Sequence, residues 1–438
     1  MSWITTCDIH CPMRSLLIPL LLLAASAPAA PDEVYQRDVE FFLDEFEKQV
    51  GHFFETKGID WSQVRSWASS ELAKVENEND HLQLCARLVA RLRDGHARLT
   101  DCQITWPDES EGRPWRHPKI RMIVQGDRAL VISVDPALGL LIGSEIRTID
   151  GDPVSDWLKA TAAEWSDRRG FSTRRHLEAQ VAAEGLGGWE GTKFLAGFER
   201  PDGSVGEVEV DRSLGEKSNL RLDASKQLGG LAAVGRNAWG KTKAGNGYIR
   251  LRKVPGDLPQ QLDKMLVALG EVPGMIMDMR ANGGGGCDHY AVFARFIAMG
   301  EFWGAVEGTG ERPFPGPLVV IVDASTASAG ETLAGQFGED QRAVVIGPSG
   351  TAGMSSQKVR LRAPSGLCTA YFSVRSNKGR FNRGRGLEGI GVIPHELVPY
   401  QADELADGID SQIRRAEELL KVGKWPELID YDGTVFRK

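Results

Sequence analysis

Between residues 33 and 53 the apolar side chains Tyr35, Val39, Phe42, Phe46, Val50 and Phe53 recur every three or four positions, which places them on one face of an amphipathic helix. A second helix is predicted after Asp60, with Trp61, Val64, Trp67 and Leu72 turned inward, Asp60 as N-cap and Gln63 as its reciprocal partner. A third runs from about His81 to Arg93 and stops at Asp94-Gly95, a glycine there being suited to the left-handed conformation that ends helices. The period then changes. Residues 97–100, 120–124 and 129–134 read as strands, and 165–189, rich in Arg and Gly, reads as an inserted loop or lid. Further on, 247–251, 275–280, 318–322 and 343–346 are short apolar runs of the kind that strands buried on both faces use. Helical patterns fall at 258–269 and 329–337, and Leu405, Ile409, Ile413, Ala416 and Leu420 mark a last amphipathic helix.

Composition narrows the class. With 438 residues, 42% of them hydrophobic, the chain can build two or three packed domains, and its net charge of −8 argues against a nucleic-acid surface. Residues 1–30 read as a secretory signal, with Arg14 ahead of the apolar run 16–25 and small residues Ser26, Ala27, Ala29 and Ala30 behind it, so cleavage is expected near Ala30. An uncleaved anchor is the other reading of that run. No later stretch has the apolar length of a membrane span. Beyond the leader stand Cys85, Cys102, Cys287 and Cys368, too scattered for a zinc clip and open to several pairings.

Candidate chemistry centres on Ser328, at the join between the run 318–322 and the helix that follows. There a hydroxyl meets the unpaired N–H groups of a helix N-terminus, which can hold a developing oxyanion, although Ser is also an ordinary N-cap. His96 lies just past the third helix and Glu388 in a glycine-rich late loop; taken alone, each reads as an ordinary loop residue. Asp278-Met-Arg280 runs into Gly283-Gly-Gly-Gly286, a turn whose backbone can approach a ligand closely, yet the Lys and Ser/Thr of a phosphate loop are missing. Cys287 and His289 sit just beyond it and read as structural residues, with a place on the rim of a site as the alternative.

Five stretches in order resemble motifs of the carboxyl-terminal processing and tricorn family of serine peptidases: Leu92-Arg-Asp-Gly-His96, Gly143–Val154, Asp278–Gly286, Thr326-Ala-Ser-Ala-Gly-Glu331 and Glu388-Gly-Ile-Gly-Val-Ile-Pro394. The second resembles the latter half of a PDZ domain, without a clear glycine-rich carboxylate-binding loop before Ile120. The resemblance implies a multi-domain α/β fold: a leader (1–30), a helical N-terminal region (31–117), a PDZ-like β-rich insert (118–212), a ClpP- and crotonase-like α/β catalytic domain (213–425) and a tail (426–438). It implies Ser328 as nucleophile, His96 as base and Glu388 as the acid that orients it, with Ala329 and either Gly283 or Gly284 as the oxyanion hole and neither metal nor cofactor. The lysine that serves as base in the processing branch would fall at Gly353, and the next lysine is Lys358, so the tricorn-like arrangement is the nearer one. Two departures stand out: Gly95, where that branch has a serine, and His395, where the family has an aspartate. The function implied is an exported endopeptidase acting on peptides or unfolded proteins. A non-catalytic binder of peptides or hydrophobic ligands on the same scaffold, or an esterase, are the alternatives.

Overall fold

The computed structural model describes residues 31–106, 113–212, 222, 224, 226–375, 377, 379–422, 428–429 and 435–436. The leader over 1–30 and most of the tail lie outside them. The N-terminal patterns fold as α1 (Pro31–Val50), α2 (Trp61–Leu72) and α3 (Glu78–Ala90). Phe42, Phe46, Trp61, Val64 and Leu88 meet in one core. Asp60 caps α2 by accepting from the Ser62 and Gln63 N–H groups, at 3.1 and 3.2 Å, and the Gln63 amide donates back to its carboxylate at 2.9 Å. The stop after α3 differs from expectation. Arg93 takes the left-handed conformation (φ 46), whereas Gly95 is needed for space: a Cβ there would stand 2.8 Å from Met354 Sδ. Strand β1 (Arg98–Thr100) follows.

A second unit threads β2 (Ile120–Gln125), β3 (Arg128–Val134), β4 (Glu145–Ile149), β5 (Lys193–Glu199) and β6 (Val205–Asp211) into an antiparallel sheet in that order. Asp150 and Gly151 both have positive φ (53 and 88), as a tight hairpin turn requires. Between β4 and β5 lie α4 (Val154–Arg168) and α5 (Arg174–Glu184), so much of the stretch expected as a loop or lid is helical. Thr173 caps α5 through the His176 N–H, and Val181 and Ala182 bury against the sheet; so few apolar residues gave too weak a period to read in advance.

The third unit contains β7 (Ala232–Val234), β8 (Asn237–Lys241), β9 (Gly247–Arg250), α6 (Leu258–Leu269), β10 (Met275–Asp278), β11 (Leu318–Ile321), α7 (Ala329–Glu339), β12 (Val344–Gly347), the hairpin β13 (Gln357–Arg362) and β14 (Thr369–Arg375), β15 (Glu396–Leu397) and α8 (Ser411–Val422). Its sheet has the order β7-β8-β9-β10-β11-β12-β15, parallel from β9 onward. Alternation within the apolar runs explains their composition. Met275, Met277, Leu318, Val320 and Val345 face α6 and α7, while Ile276, Val319, Ile321, Val344 and Ile346 face Ile413 and Ala416 of α8. The last helical pattern is broken by left-handed Gly408 (φ 69) into a short turn and α8.

One tie joins the first and third units, and another fastens α8 to the sheet. Strand β14 pairs with β1, and its Ala370 and Phe372, with Cys368, enter the core of the N-terminal helices. At the end of β10, buried Asp278 grips Arg280 through two oxygens at 3.0 and 2.7 Å, and Arg280 reaches Asp410, the residue that caps α8, at 2.7 Å. The guanidinium holds the Asp278 carboxyl well below the usual range despite its burial. Cys85 and Cys368 are buried free thiols, and no described helix is long and apolar enough to cross a membrane.

Candidate active site

Parallel strands deliver their loops to one edge, and here the loops after β10, β11 and β12 converge on Ser328. Ser328 has φ 58 and ψ −126, a strained conformation for a residue with a Cβ. Contacts on both sides hold it there. Its N–H donates to the Met354 carbonyl and to Glu331 Oε2, each at 3.1 Å. Glu331 also accepts from the N–H groups of Gly353 (2.7 Å) and Met354 (2.9 Å) and from the Thr351 hydroxyl. One buried carboxylate thus fastens the serine turn to the loop after β12, and burial pushes it up to about 7.

His96 stands between α3 and β1. Its backbone N–H donates to Asp94 Oδ1 at 2.9 Å, and Asp94 Oδ2 accepts from the Ser373 N–H of β14 at 2.7 Å. So held, His96 places Nε2 at 3.3 Å from Ser328 Oγ. The hydroxyl at the start of the helix thus also meets a histidine. Burial pushes the imidazole down to about 4, with Asp94 pulling it partly back, so the ring is neutral at pH 7.

Glu388 is not hydrogen-bonded to this histidine. It is fully buried, where the Lys57 ammonium claims Oε1 at 2.8 Å, and the Ser172 hydroxyl donates to the same oxygen at 3.0 Å. Ser172 Oγ in turn accepts from the Gly95 N–H at 2.9 Å, so Glu388 reaches the backbone beside His96 through one serine. Burial pushes Glu388 up to about 7 against the pull of Lys57. The carboxylate nearest the ring is Asp94, whose Oδ1 lies 3.9 Å from His96 Nδ1; that nitrogen and Glu388 Oε2 are both buried without a hydrogen-bond partner.

The glycine turn abuts the serine. A Cβ on Gly284 (φ 75) would stand 2.7 Å from Ser328 Cβ and 3.0 Å from the Ala329 nitrogen, which is why this position is bare. Its N–H is occupied by Asn282 Oδ1 at 2.8 Å. Among the described residues, the N–H groups of Gly283 and Ala329 have no partner. A cavity of about 530 Å³ opens beside them, lined by His96, Gly283, Ala327, Met354, Phe171 and Trp106 among others.

Gly353 occupies the place where a lysine base would stand, and its N–H is spent on Glu331. Lys358 lies on β13; its charge helps depress His96, but it forms no hydrogen bond to Ser328. The model for peptidase family S41 matches residues 245–398, from β9 through β15. The matched segment, the sheet and loops around Ser328, is similar to peptidase family S41. Over 198 residues the chain is 28% identical to a carboxyl-terminal-processing protease of Synechocystis sp., covering 40% of this chain and 44% of that one. Over 193 residues it is 26% identical to a carboxy-terminal-processing protease of Bartonella bacilliformis, covering 39% and 43%. The chain thus spans less than half the length of the curated relatives it matches. The structure of mature CPAF with lactacystin superposes with a TM-score of 0.62 over 90% of this chain and 98% of that one, at 14% identity, a likeness of fold.

The structure also brings residues into the site that carry little signal in the sequence. Glu331 was accessible, since Ser328-x-x-Glu331 is the spacing of a capping box. Lys57, Asp94 and Ser172 carry no such local signature, because their partners lie far along the chain. Substituted His395 replaces a backbone pairing: its Nδ1 accepts from the Val345 N–H at 3.0 Å, and burial pushes it down to about 4. Cys287 and His289 sit beyond the glycine turn, without a contact to Ser328.

Proposed function

We propose that the protein is an exported serine endopeptidase acting on peptides or unfolded proteins. The observation that carries this reading is the 3.3 Å approach of a neutral imidazole to the Ser328 hydroxyl. Ser328 Oγ attacks the peptide carbonyl as His96 Nε2 takes its proton, the tetrahedral oxyanion rests on the Gly283 and Ala329 N–H groups, and the imidazolium then protonates the leaving amine. Water enters by the same route in reverse and releases the acyl group from Ser328. Asp94 faces the imidazolium as it forms. Glu388 acts one step removed, through Ser172, by fixing the Gly95-His96 backbone. Export rests on the pattern of Arg14 and the apolar run 16–25. The domain limits at 117, 212 and 425, and a PDZ-like role for the β2–β6 unit in holding extended substrate, belong to the same reading.

The test is digestion of a diverse peptide pool by the mature protein and by Ser328→Ala, read by mass spectrometry. Cleavage lost in the variant, with thermal unfolding nearly unchanged, is the expected result. Equal cleavage by both would sink the assignment. No cleavage by either, with peptides co-purifying with both, would make the scaffold a binding protein.

A further inference from the structure

Gly283 borders a second cavity, of about 750 Å³, on the side away from His96, between β2, the β7–β9 edge of the sheet and α8. Its charges are not balanced. The acids on its wall are committed elsewhere: Asp278 and Asp410 to Arg280, and Asp323 to the N–H groups of Ala281 and Ser325. Lys253 and Arg236, on the same wall, have no ion pair among the described residues, and Arg252 Nη1 is buried without a hydrogen-bond partner. Lys253 stands nearest the chemistry, since a Cβ on Gly283 would lie 3.0 Å from its Nζ.

The position of these cations is built in. Buried Asn237 accepts from the backbone N–H groups of both Arg252 and Lys253, at 2.9 and 3.1 Å, and is itself anchored by Gln261. The next residue runs alongside the glycine turn, its N–H donating to Gly284 O at 3.1 Å and its carbonyl accepting from Gly286 N–H at 2.7 Å. Lys253 is thereby locked in register with Gly283. On the other side, the cavity beside His96 is lined by Arg98, Arg168 and Arg169 and by no carboxylate. A chain of net charge −8 thus places cations in both cavities that meet Gly283, an arrangement that concentrates anions there.

We propose that Arg252 and Lys253 form a carboxylate-binding subsite, so that the preferred substrate is a peptide with an acidic side chain close to the scissile bond. An extended peptide advances about 3.3 Å per residue, which puts that carboxylate about one or two residues from the reacting carbonyl. Lys253 is a specificity-determining residue in this scheme. The inference rests on the peptidase reading.

The experiment uses matched peptides, all amidated at the C-terminus, that differ only in Glu against Gln at each position flanking the cleaved bond. The wild-type protein should favour one carboxylate form by about tenfold or more in kcat/KM, the scale of one charged hydrogen bond. The flanking position that shows the preference locates the subsite. Lys253→Met should bring the ratio close to one, and Lys253→Arg should keep it. A wild-type ratio within about twofold of one, or a ratio that Lys253→Met leaves unchanged, overturns the subsite. If no peptide is cut, the peptidase reading has failed, and the same ratios are read as peptide affinities for Ser328→Ala by fluorescence anisotropy, with the same two outcomes.

Discussion

Lys57→Met removes the cation that neutralises Glu388 at a site where both side chains are almost wholly shut off from water, 2% and 0% exposed. Breaking one half of a buried pair costs about 3–5 kcal/mol, because the remaining charge is stranded. Glu388 has an escape, which is to take a proton, and this makes the cost depend on pH. In the wild type Glu388 titrates at about 7, against about 4.3 for an unfolded chain. A carboxyl raised on folding keeps a proton that the unfolded chain has already lost, so stability falls as pH rises from the unfolded value to the folded one. In the wild type that decline ends near 7. In Lys57→Met it continues upward, because the ammonium that lowered the folded value is gone. The difference between the two proteins should therefore be flat below about pH 7 and grow above it by about 1.4 kcal/mol per unit, or roughly 3 kcal/mol by pH 9. Urea unfolding followed by tryptophan fluorescence at pH 6.5, 7.5 and 8.5 measures it. A Lys57→Met/Glu388→Gln double variant should recover most of the loss at high pH, since no charge is then stranded. A pH-independent loss, or a double variant as weak as the single one, would refute the argument.

Two further outcomes test the site. Gly95→Ser introduces a Cβ 2.8 Å from Met354 Sδ, so it should destabilise the fold by about 1–3 kcal/mol, as overpacking does, with Met354→Ala relieving much of the loss in thermal unfolding. A peptidase whose base is His96 should lose kcat/KM only as pH falls through about 4, since protonation of the ring removes the base. Lys358→Met should shift that acid limb upward and Asp94→Asn downward, because Lys358 lowers and Asp94 raises the imidazole; a limb near 6.5 that neither change moves would contradict the burial argument.

What the sequence disclosed depended on the range of the forces concerned. The run from Leu318 to Ile321 and the helix after Ser328 were readable because burial on both faces demands unbroken apolar residues, and a helix start needs local capping. His96, between a helix stop and a strand, was readable for the same local reason. Its distance from Ser328 was not, because it depends on β1 pairing with β14 some 270 positions later, with Arg98 opposite Tyr371. The partner of Glu388 was hidden more deeply. A carboxylate in a glycine-rich loop looks solvated in sequence, yet here it is wholly buried, and it can be so because Lys57 and Ser172, from two other segments, supply the charge and the hydrogen bond that burial requires.

Gly95 looks, in sequence, like a lost serine beside the histidine. In the fold its N–H is held by Ser172 Oγ, and the same hydroxyl donates to Glu388, so a serine does stand between the glutamate and the histidine segment, supplied from the turn before α5 instead of from position 95. Met354 fills the space that a side chain at 95 would need, and its carbonyl accepts from the Ser328 N–H. The bare glycine therefore lets the loop after β12 close over the histidine segment and hold the serine turn. That loop can do so without a lysine because Glu331 ties Thr351, Gly353 and Met354 to the start of α7. The bare positions at 95 and 353 are thus parts of one packing arrangement, since a Cβ at 95 meets Met354 and one at 353 meets Thr173, and a side chain added at either alone would open it.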